Sequence, residues 1–460
     1  MKYLTLKNIA AAVGGKYHGP SENLEKQITM TALDSRLIQK DGLFFATKGE
    51  KTNGHRFLPS VFEKGALCAI TERELTFEDM PEGTDVEKVS YIVVSDSFAA
   101  LRKLAAWYRK QLDIKVVGIT GSVGKTSTKE MIAAVLSAKY RVLKTEGNFN
   151  NSVGLPLTIM RLTDEDEIAV LEMGISDFGE MSTLASIARP DVCVITNIGQ
   201  CHLENLGDRD GIFLAKTEMF HYLREGGSAV LNGSDDKLIR TEQVCKKEPL
   251  FFNDGKTSYA TDIESMGLLG SRCIIHSGDM KIDVTIPVPG SHQITNALAA
   301  AKVAAVFGLT AEQIKEGIKR TGTISGRSNI IKTDRYVIID DCYNANPASM
   351  RAGLMLLSEA DTRKVAVLGD MFELGADEKA LHRQIGQAME DKEYRPDVLI
   401  CIGELAKNIY EGSPDTVDKH IYPDKESFIS DMDSILKDGD TILLKASHGM
   451  EFVKLLDALK

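Results

Sequence analysis

The 460-residue sequence predicts an α/β protein of three domains: a small mixed α/β N-terminal domain, a central parallel-sheet domain and a C-terminal Rossmann-like domain. Length is one reason, because a chain of this size exceeds what a single hydrophobic core usually holds. The second is the repeated order of apolar strand, turn and helix from residue 115 onward, which is typical of parallel sheets covered on both faces. We expect the domains at 1–96, 97–325 and 326–460.

The first domain contains short strand candidates at 42–46, 68–71 and 91–94, separated by polar turns. A helix is predicted to begin after the polar residues at 95–97, which are suited to cap it. The apolar residues that follow recur every three or four positions and so form one helix face: Leu101, Leu104, Ala105, Tyr108 and Leu112. We place the first domain boundary where this helix begins.

Apolar runs also predict the strands of the other two domains. In the central domain they cover 116–120, 167–173, 192–198 and 228–231, and an alanine-rich helix is predicted at 296–306. In the C-terminal domain they cover 337–339, 365–368, 398–401 and 441–444. Short apolar runs between helical patterns are typical of strands buried in a parallel sheet.

Composition excludes several classes of protein. The formal net charge of −11 and the lack of a basic block argue against a nucleic-acid surface. No run approaches the roughly 20 apolar residues of a membrane span, and the N-terminal residues lack a signal-peptide pattern, so we expect a cytoplasmic protein. The seven cysteines are odd in number and scattered, which favours reduced thiols over disulfides or a zinc site.

A glycine-containing turn joins the strand at 116–120 to a helical pattern, and its residues are Gly121, Ser122, Val123, Gly124, Lys125, Thr126 and Ser127. In such a turn backbone N–H groups close around a phosphate, Lys125 neutralises charge, and Thr126 offers a hydroxyl ligand to magnesium. The spacing differs from the common motif, which would have a glycine in place of Ile119. A plain glycine turn is the alternative, but the strand–turn–helix context favours a nucleoside triphosphate site in a P-loop ATPase-like domain.

Magnesium needs further hard oxygen ligands. Glu172 ends one apolar strand and His202 follows another, and strand ends of this kind converge on the ligand crevice of a doubly wound sheet. Each has a structural alternative: Glu172 could cap the next helix, and His202 could be a buried structural histidine. By its pattern alone, Lys216 is an ordinary lysine on a helix surface.

Seven stretches of the chain resemble the Mur ligase family of cell-wall enzymes, over nearly the whole length. The stretches are 120–126, 147–151 with 154–156, 172–174, 197–199 with 202–203, 289–292 with 296–298, 341–347, and 368–371 with 373–375. The last two are the most specific, because they distinguish the family branch that adds D-alanyl-D-alanine from its sister branches.

The resemblance implies an ATP-dependent ligase that activates a UDP-N-acetylmuramoyl tripeptide as an acyl phosphate and joins it to D-alanyl-D-alanine. ATP and Mg²⁺ would be the cofactors, and we expect a monomer. A sister ligase that adds the third peptide residue is the alternative within the family, although its Asp-Asn-Pro-Arg signature is absent. A P-loop ATPase or kinase that performs no ligation is the alternative outside it.

The resemblance also assigns roles to single residues. Glu172, His202 and Lys216 would bind magnesium together with Thr126, and Lys216 would do so as a carbamate. The residues implied to be catalytic are Lys125, Lys216 and His202. The ATP contacts beyond the loop are Asn296, Arg327 and Asp341.

The substrate contacts are implied in three regions of the sequence. Asn150 and Asn151 would hold the muramoyl peptide. In the N-terminal domain, Asp34-Ser35-Arg36 and Lys48-Gly49-Glu50 resemble segments that hold the UDP end, from which we carry over Ser35, Arg36 and Lys48. The third region lies in the C-terminal domain, where the expected substrate contacts are Tyr343, Asn344 and Asn346. The alternative for each segment is a turn at the end of a strand.

Two segments depart from the family pattern. The chain has Lys445-Ala446-Ser447-His448 where this branch usually has Lys-Gly-Ser-Arg, which leaves the role of the segment open. In the stretch from Gly290, Ser291 and Gln293 stand where arginine and asparagine are common, so only Asn296 is carried over as a contact.

Overall fold

The computed structural model describes residues 1–49 and 52–460, and the strands among these residues form four β-sheets. Three of the sheets correspond to the three predicted domains, so the predicted α/β architecture is confirmed. The fourth is a small antiparallel sheet in the central region, which the sequence patterns did not predict. None of the helices in the described part of the chain combines the length and the apolar character that a membrane crossing requires.

The N-terminal sheet is mostly parallel. Its region contains α1 (Leu6–Val13), β1 (Lys16–His18), β2 (Thr31–Ala32), β3 (Leu43–Phe45), α2 (Leu58–Glu63), β4 (Cys68–Thr71), β5 (Tyr91–Val93) and α3 (Ser97–Gln111). The strand order is β1-β5-β4-β3-β2, and only the β1–β5 pair is antiparallel. The predicted helix start is confirmed, because the Asp96 side chain accepts a hydrogen bond from the Ala99 amide.

The central region begins with a six-stranded parallel sheet. Its elements are β6 (Lys115–Thr120), α4 (Lys125–Leu136), β7 (Val142–Lys144), α5 (Gly154–Ile159), β8 (Ile168–Glu172), α6 (Glu180–Ala188), β9 (Val192–Ile195), α7 (Leu203–Leu206), α8 (Arg209–Thr217), β10 (Ser228–Asn232) and β11 (Leu250–Phe252). The order β11-β10-β9-β6-β8-β7 places β6 between β8 and β9. The three segments that follow these strands therefore meet at one edge of the sheet.

The second half of the central region covers this sheet. It contains β12 (Ser258–Ser265), β13 (Ser271–Ser277), β14 (Met280–Ile286), α9 (His292–Val306) and α10 (Ala311–Lys319). The three strands form an antiparallel sheet in sequence order, and their apolar side chains share one hydrophobic cluster with α4, α9 and α10. This cluster packs on one face of the parallel sheet.

The opposite face of the parallel sheet shares a hydrophobic cluster with the N-terminal domain. Helix α3 lies at this junction, because it packs on α1 and also on α5 and α6. One helix thus contacts both domains, and the predicted boundaries at residues 96 and 325 stay predictions.

The C-terminal sheet is parallel except at one edge. Its elements are β15 (Asn329–Lys332), β16 (Val337–Asp340), α11 (Pro347–Ser358), β17 (Lys364–Gly369), α12 (Glu378–Ala388), β18 (Val398–Ile402), α13 (Lys407–Gly412), β19 (Asp418–Tyr422), α14 (Lys425–Ile435), β20 (Thr441–Lys445) and α15 (Val453–Leu459). The order is β15-β16-β20-β17-β18-β19, with β15 antiparallel. A hydrophobic cluster covers each face, as in a Rossmann-like sheet.

Candidate active site

The glycine turn between β6 and α4 is held from the end of β9. The Val123 carbonyl accepts hydrogen bonds from Thr196 Oγ1 at 2.6 Å and from Asn197 Nδ2 at 2.9 Å. The Val123 amide donates to Asn197 Oδ1 at 3.0 Å. Gly121 has φ +151°, and a β-carbon there would lie 1.9 Å from Thr196 Oγ1. The turn therefore requires glycine, as a phosphate loop does when backbone must approach a ligand closely.

Gly121→Ala is expected to reduce turnover by about 100-fold, since a shift of roughly 1 Å in reacting groups can cost that much. The added methyl would collide with Thr196 and displace the loop. Gly226→Ala is the matched control, because Gly226 also has positive φ (+82°) but has no atom within 4 Å of its β-carbon position. Steady-state phosphate release measures the effect, and equal rates in the two variants would contradict the loop assignment.

Lys125 is the first residue of α4, and its ammonium folds back on the loop. Nζ donates to the Gly121 carbonyl at 2.8 Å and lies 3.4 Å from the Ser122 carbonyl. Burial lowers the pKa of Lys125, the nearby Arg327 guanidinium lowers it further, and the Glu172 carboxylate opposes the shift. These charges belong to one site that is partly withdrawn from water.

Glu172, the last residue of β8, is 1% exposed. Its Oε1 accepts a hydrogen bond from Asn150 Nδ2 at 2.8 Å, whereas Oε2 has no hydrogen-bond partner among the described residues. The helix-cap alternative for Glu172 is wrong, because α6 begins after Gly179. A buried carboxylate oxygen without a partner is costly, so this atom is available to a cation.

Lys129 is a site residue that the sequence analysis missed. It lies one helical turn after Lys125 and is almost fully buried. Its Nζ donates to the Thr145 carbonyl at 2.6 Å, lies 3.0 Å from Glu130 Oε1, and is 3.9 Å from Glu172 Oε2, which is an ion-pair distance but not a hydrogen bond. The signal for it was the spacing of four residues, which places both lysines on the same face of α4.

Lys216 in α8 is 0% exposed, and its Nζ has no hydrogen-bond partner among the described residues. The prediction from its pattern, an ordinary lysine on a helix surface, is therefore wrong. Burial, together with a smaller contribution from the charge of Lys125, lowers the pKa of Lys216 to about 8. A larger share of the amine is thus neutral near pH 7 than in an exposed lysine, which is the form that reacts with carbon dioxide.

His202 precedes α7 and has φ +50°. Its Nδ1 lies 2.6 Å from Glu373 Oε2, a close charged contact without the alignment of a hydrogen bond. Burial lowers the pKa of His202, Lys125 and Lys216 lower it further, and the Glu373 carboxylate opposes them. A neutral imidazole is the form of histidine that ligates metals.

These residues fit a divalent cation only in part. In residues 1–49 and 52–460 no three His, Cys, Asp or Glu side chains form a cluster that could hold a metal ion. Glu172 and His202 would need the Thr126 hydroxyl and a modified Lys216 beside them. Magnesium commonly binds in this way, with one or two carboxylates and the rest from water and substrate phosphates.

A cavity of about 290 Å³ lies between the phosphate loop and the C-terminal domain. Its walls include Val123, Gly124, Ser127, Asn296, Arg327, Asp341, Tyr343 and Asn344. Of the predicted ATP contacts, the cavity thus brings together Val123, Gly124, Ser127, Asn296, Arg327 and Asp341, whereas its walls do not include Gly121, Ser122, Lys125 or Thr126. A nucleotide there would have the phosphate loop at one end and the C-terminal domain along one side.

Asn296 joins the two helices on the central side of this cavity. Its Oδ1 accepts a hydrogen bond from Thr128 Oγ1 at 2.9 Å, and its Nδ2 donates to Gln293 Oε1 at 2.9 Å. Gln293, one of the departures from the family pattern, therefore positions Asn296. His292 also lines the cavity, and the sequence analysis gave it no role.

On the C-terminal side, Asp341 accepts a hydrogen bond from the Ser328 amide at 3.0 Å and forms an ion pair with Lys445 Nζ. The Arg327 guanidinium lies over the Tyr343 ring, 4.2 Å from its centroid. Lys445 belongs to the segment whose role the sequence left open. The structure shows that it anchors Asp341 from the end of β20.

Three of the asparagines predicted to contact substrate accept hydrogen bonds from backbone amides of the protein itself. Asn151 Oδ1 accepts hydrogen bonds from the amides that begin α5, and Asn346 caps α11 through the Ser349 amide at 2.9 Å. Asn344 Oδ1 accepts from the Ala345 amide at 2.9 Å. Asn150, bonded to Glu172, adjoins the candidate cation site directly. The binding roles of all four stay predictions.

The predicted UDP contacts lie in the N-terminal domain, and none of them lines the 290 Å³ cavity. Arg36 is exposed and forms a two-pronged ion pair with Asp34, while the Ser35 carbonyl accepts a hydrogen bond from Lys64. The backbone of Lys48 pairs with that of Asn53. Glu50, the last residue of the predicted segment, falls outside the described residues.

Three family domains match the chain in succession. The Mur ligase family catalytic domain matches residues 27–109, the Mur ligase middle domain residues 119–304, and the Mur ligase glutamate ligase domain residues 326–448. The middle domain includes the phosphate loop, Glu172, His202 and Lys216. The last includes Arg327 and Asp341.

Relatives resemble the chain over its full length. The UDP-N-acetylmuramoyl-tripeptide–D-alanyl-D-alanine ligase of Bacillus subtilis (strain 168) is 37% identical, covering 99% of this chain and 98% of its own. The enzyme of the same name from Escherichia coli (strain K12) is 33% identical with the same coverage.

Solved structures also resemble the chain over nearly its whole length. MurF from Acinetobacter baumannii superposes with a TM-score of 0.88 at 30% identity, covering 99% of this chain and 98% of that one. MurF ligase from Thermotoga maritima in complex with ADP gives 0.80 at 30% identity, covering 93% and 96%. The chain belongs to the Mur ligase family.

Proposed function

We propose that this protein is the ATP-dependent ligase that adds D-alanyl-D-alanine to UDP-N-acetylmuramoyl-tripeptide in peptidoglycan precursor synthesis. The observation that carries the proposal is the site around Lys125, where a phosphate loop adjoins two buried atoms without hydrogen-bond partners among the described residues, Glu172 Oε2 and Lys216 Nζ. The relatives named for this reaction, which match nearly the whole chain, support the choice of substrates.

The reaction needs an activated carboxyl group, because a carboxylate has no adequate leaving group for attack by an amine. A carboxylate oxygen of the tripeptide attacks the γ-phosphorus of ATP, the bond to the β–γ bridging oxygen breaks, ADP leaves, and the carboxylate becomes an acyl phosphate. The free amine of D-alanyl-D-alanine then attacks the acyl carbon, phosphate leaves with the electrons of its bond, and the amine loses a proton. In both steps the protein contributes mainly positioning and charge stabilisation.

Each ATP contact has a distinct task in this proposal. The backbone N–H groups of Gly121 to Ser127 and the Lys125 ammonium hold the phosphates, and Lys125 stabilises charge that develops during transfer. Asn296, Arg327 and Asp341 hold the remainder of the nucleotide in the cavity between the domains. The ADP complex of the Thermotoga maritima relative supports the use of this nucleotide.

Mg²⁺ would be held by Thr126, Glu172, His202 and a carbamylated Lys216. When bound, the cation supplies charge neutralisation for the phosphate oxygens. Lys216 would gain its ligand oxygen when its neutral amine adds to carbon dioxide and releases a proton. The absence of a partner for its buried Nζ, and its lowered pKa, support this modification.

The substrates would extend from this site in two directions. Asn150 and Asn151 would hold the muramoyl peptide, and Ser35, Arg36 and Lys48 the UDP end. Tyr343, Asn344 and Asn346 would face substrate from the C-terminal domain. The monomeric state and the cytoplasmic location stay predictions.

A two-substrate ligation assay read by mass spectrometry tests the function. Phosphate release from ATP and a new amide product are expected only when UDP-N-acetylmuramoyl-tripeptide and D-alanyl-D-alanine are both present. Full-rate release without the dipeptide would instead indicate an ATPase. A product formed from a UDP-muramoyl dipeptide and a single amino acid would indicate the sister ligase.

Lys216→Ala is expected to reduce turnover by about 100-fold or more, because a ligand that stabilises developing charge is lost. Short carboxylic acids such as acetate are expected to restore part of the rate, since they fill the space with the missing carboxylate. The wild-type protein with the same acids is the control. Full activity of Lys216→Ala without added acid would contradict the carbamate.

A further inference from the structure

Two segments from different domains meet beside the candidate cation site. His202 Nδ1 of the central domain lies 2.6 Å from Glu373 Oε2 of the C-terminal domain. Leu203 packs against the hydrophobic cluster of the C-terminal domain, and the Glu204 amide lies 3.7 Å from the point where a β-carbon on Gly375 would be. The contact is therefore part of a docked surface and not an isolated approach of two side chains.

Both partners in this contact have unfavourable backbone conformations. His202 has φ +50° and Glu373 has φ +61°, in the left-handed region that is unfavourable for a residue with a side chain. Such conformations cluster at functional sites, where the surrounding structure maintains them. Here they bring the imidazole and the carboxylate together across the domain boundary.

The chemistry of the pair suits metal ligation. A histidine that ligates a metal through one ring nitrogen usually presents its other N–H to a carboxylate, which fixes both the tautomer and the ring orientation. With Nδ1–H toward Glu373, the lone pair of His202 lies on Nε2.

We infer that Glu373 is a positioning residue that orients the His202 imidazole for the divalent cation from the opposite domain. The inference rests on the proposed function, because it takes His202 as a cation ligand. It also links two events: if docking of the C-terminal domain improves cation affinity, cation binding favours docking by the same factor. The cation site is then complete only when the two domains are docked.

A purely structural role for the contact between His202 and Glu373 predicts a different effect on cation affinity. The Glu373 side chain is 58% exposed, and exposed pairs of this kind contribute little to stability. Its removal should leave the fold intact and, in the structural case, leave cation affinity unchanged. Cation affinity is therefore the measurement that separates the two cases.

The test compares Glu373→Ala, Glu373→Gln and the control Glu390→Ala in the full chain. Glu390 is an exposed glutamate of the same domain. Mn²⁺ affinity is measured by electron paramagnetic resonance with a saturating non-hydrolysable ATP analogue and no peptide substrate. The Mg²⁺ concentration that gives half-maximal turnover is measured separately.

Glu373→Ala is expected to weaken Mn²⁺ binding by about 10-fold to 100-fold, the usual effect of removing such a partner. Glu373→Gln should lose less, because an amide oxygen at this position can accept the Nδ1–H when the imidazole turns to ligate the cation, and Glu390→Ala should match the wild type. Unchanged affinity in Glu373→Ala would overturn the inference, and so would equal losses in Ala and Gln, which would indicate charge alone. Since the binding assay needs no acceptor, its outcome is independent of the ligation assay.

Discussion

Lys125→Met is expected to reduce phosphate release by about 100-fold to 1000-fold, the usual cost of losing one preorganised group that stabilises developing charge. In the free protein the Lys125 ammonium donates to the Gly121 and Ser122 carbonyls, and burial lowers its pKa. An anionic phosphate in the loop would oppose that shift and offer a stronger acceptor. The ammonium thus has its full effect only when nucleotide is present.

The measurement is steady-state phosphate release with both substrates, and the control is Lys103→Met. Lys103 is an exposed lysine of α3, remote from the loop, so its loss should leave the rate unchanged. Lys125→Arg is expected to fall between wild type and Lys125→Met, because it keeps the charge but not the compact shape of an ammonium. A Lys125→Met protein with wild-type turnover would exclude Lys125 from the phosphate site.

The phosphate loop and its flanking elements could be predicted because local signals determine them. An apolar run, a turn that needs glycine and a helical period identify β6, the loop and α4 without any long-range information. The same patterns predicted β8 and β9, although the predicted run to 198 extends three residues beyond the end of β9 at Ile195. That Glu172 and Asn197 then face the loop follows from a sheet order in which β6 lies between those strands.

The helical spacing of α8 indicates that Lys216 is buried, although its residue type does not. Ile212 and Ala215 form the buried face of α8, and Lys216 lies four residues after Ile212, on that same face. A lysine side chain is usually exposed, whereas the position of this residue on the helix indicates a buried side chain. The family resemblance instead implied a role for Lys216 as a carbamylated magnesium ligand, and that role stays a prediction. Its burial without a partner is rare for a lysine.

The antiparallel sheet of β12–β14 escaped prediction for a different reason. Strand β14 alternates between buried and exposed residues, as a strand with one solvent face should. Strand β12 does not, because its register shifts between Thr261 and Glu264, and Asp262 adopts φ +51°. A bulge of this kind interrupts the period of two on which sequence patterns depend.

The long-range contacts of Asp341 and His202 could not be predicted at all. Asp341 with Lys445, and His202 with Glu373, join residues separated by more than 100 positions, and each pair depends on how strands or whole domains are arranged. Family resemblance named Asp341 and His202 but not their partners. The partners explain how each functional side chain is held, which is information that only the three-dimensional arrangement contains.

Lys445→Met is expected to destabilise the C-terminal domain by about 3 kcal/mol, since removal of one partner leaves the other charge buried without compensation. Lys445 is 2% exposed, and the Asp341 side chain with which it pairs is 15% exposed. Asp341 also accepts the Ser328 amide, so its displacement should weaken nucleotide binding as well. Urea unfolding, followed by a probe in the C-terminal domain, measures the first effect, and titration with an ATP analogue measures the second.

Two further variants test whether the lost stability comes from an unpaired Asp341 carboxylate. The double variant Asp341→Asn with Lys445→Met should recover part of the lost stability, because no buried charge then remains unpaired. Arg272→Met breaks the exposed Arg272–Asp283 pair, whose side chains are 57% and 50% exposed, and should cost at most about 1 kcal/mol. A loss in Lys445→Met no larger than in Arg272→Met would mean that the Asp341 carboxylate is hydrated rather than held by Lys445. Lys445 would then have no role in holding Asp341 at the nucleotide cavity, and nucleotide affinity should also be unchanged.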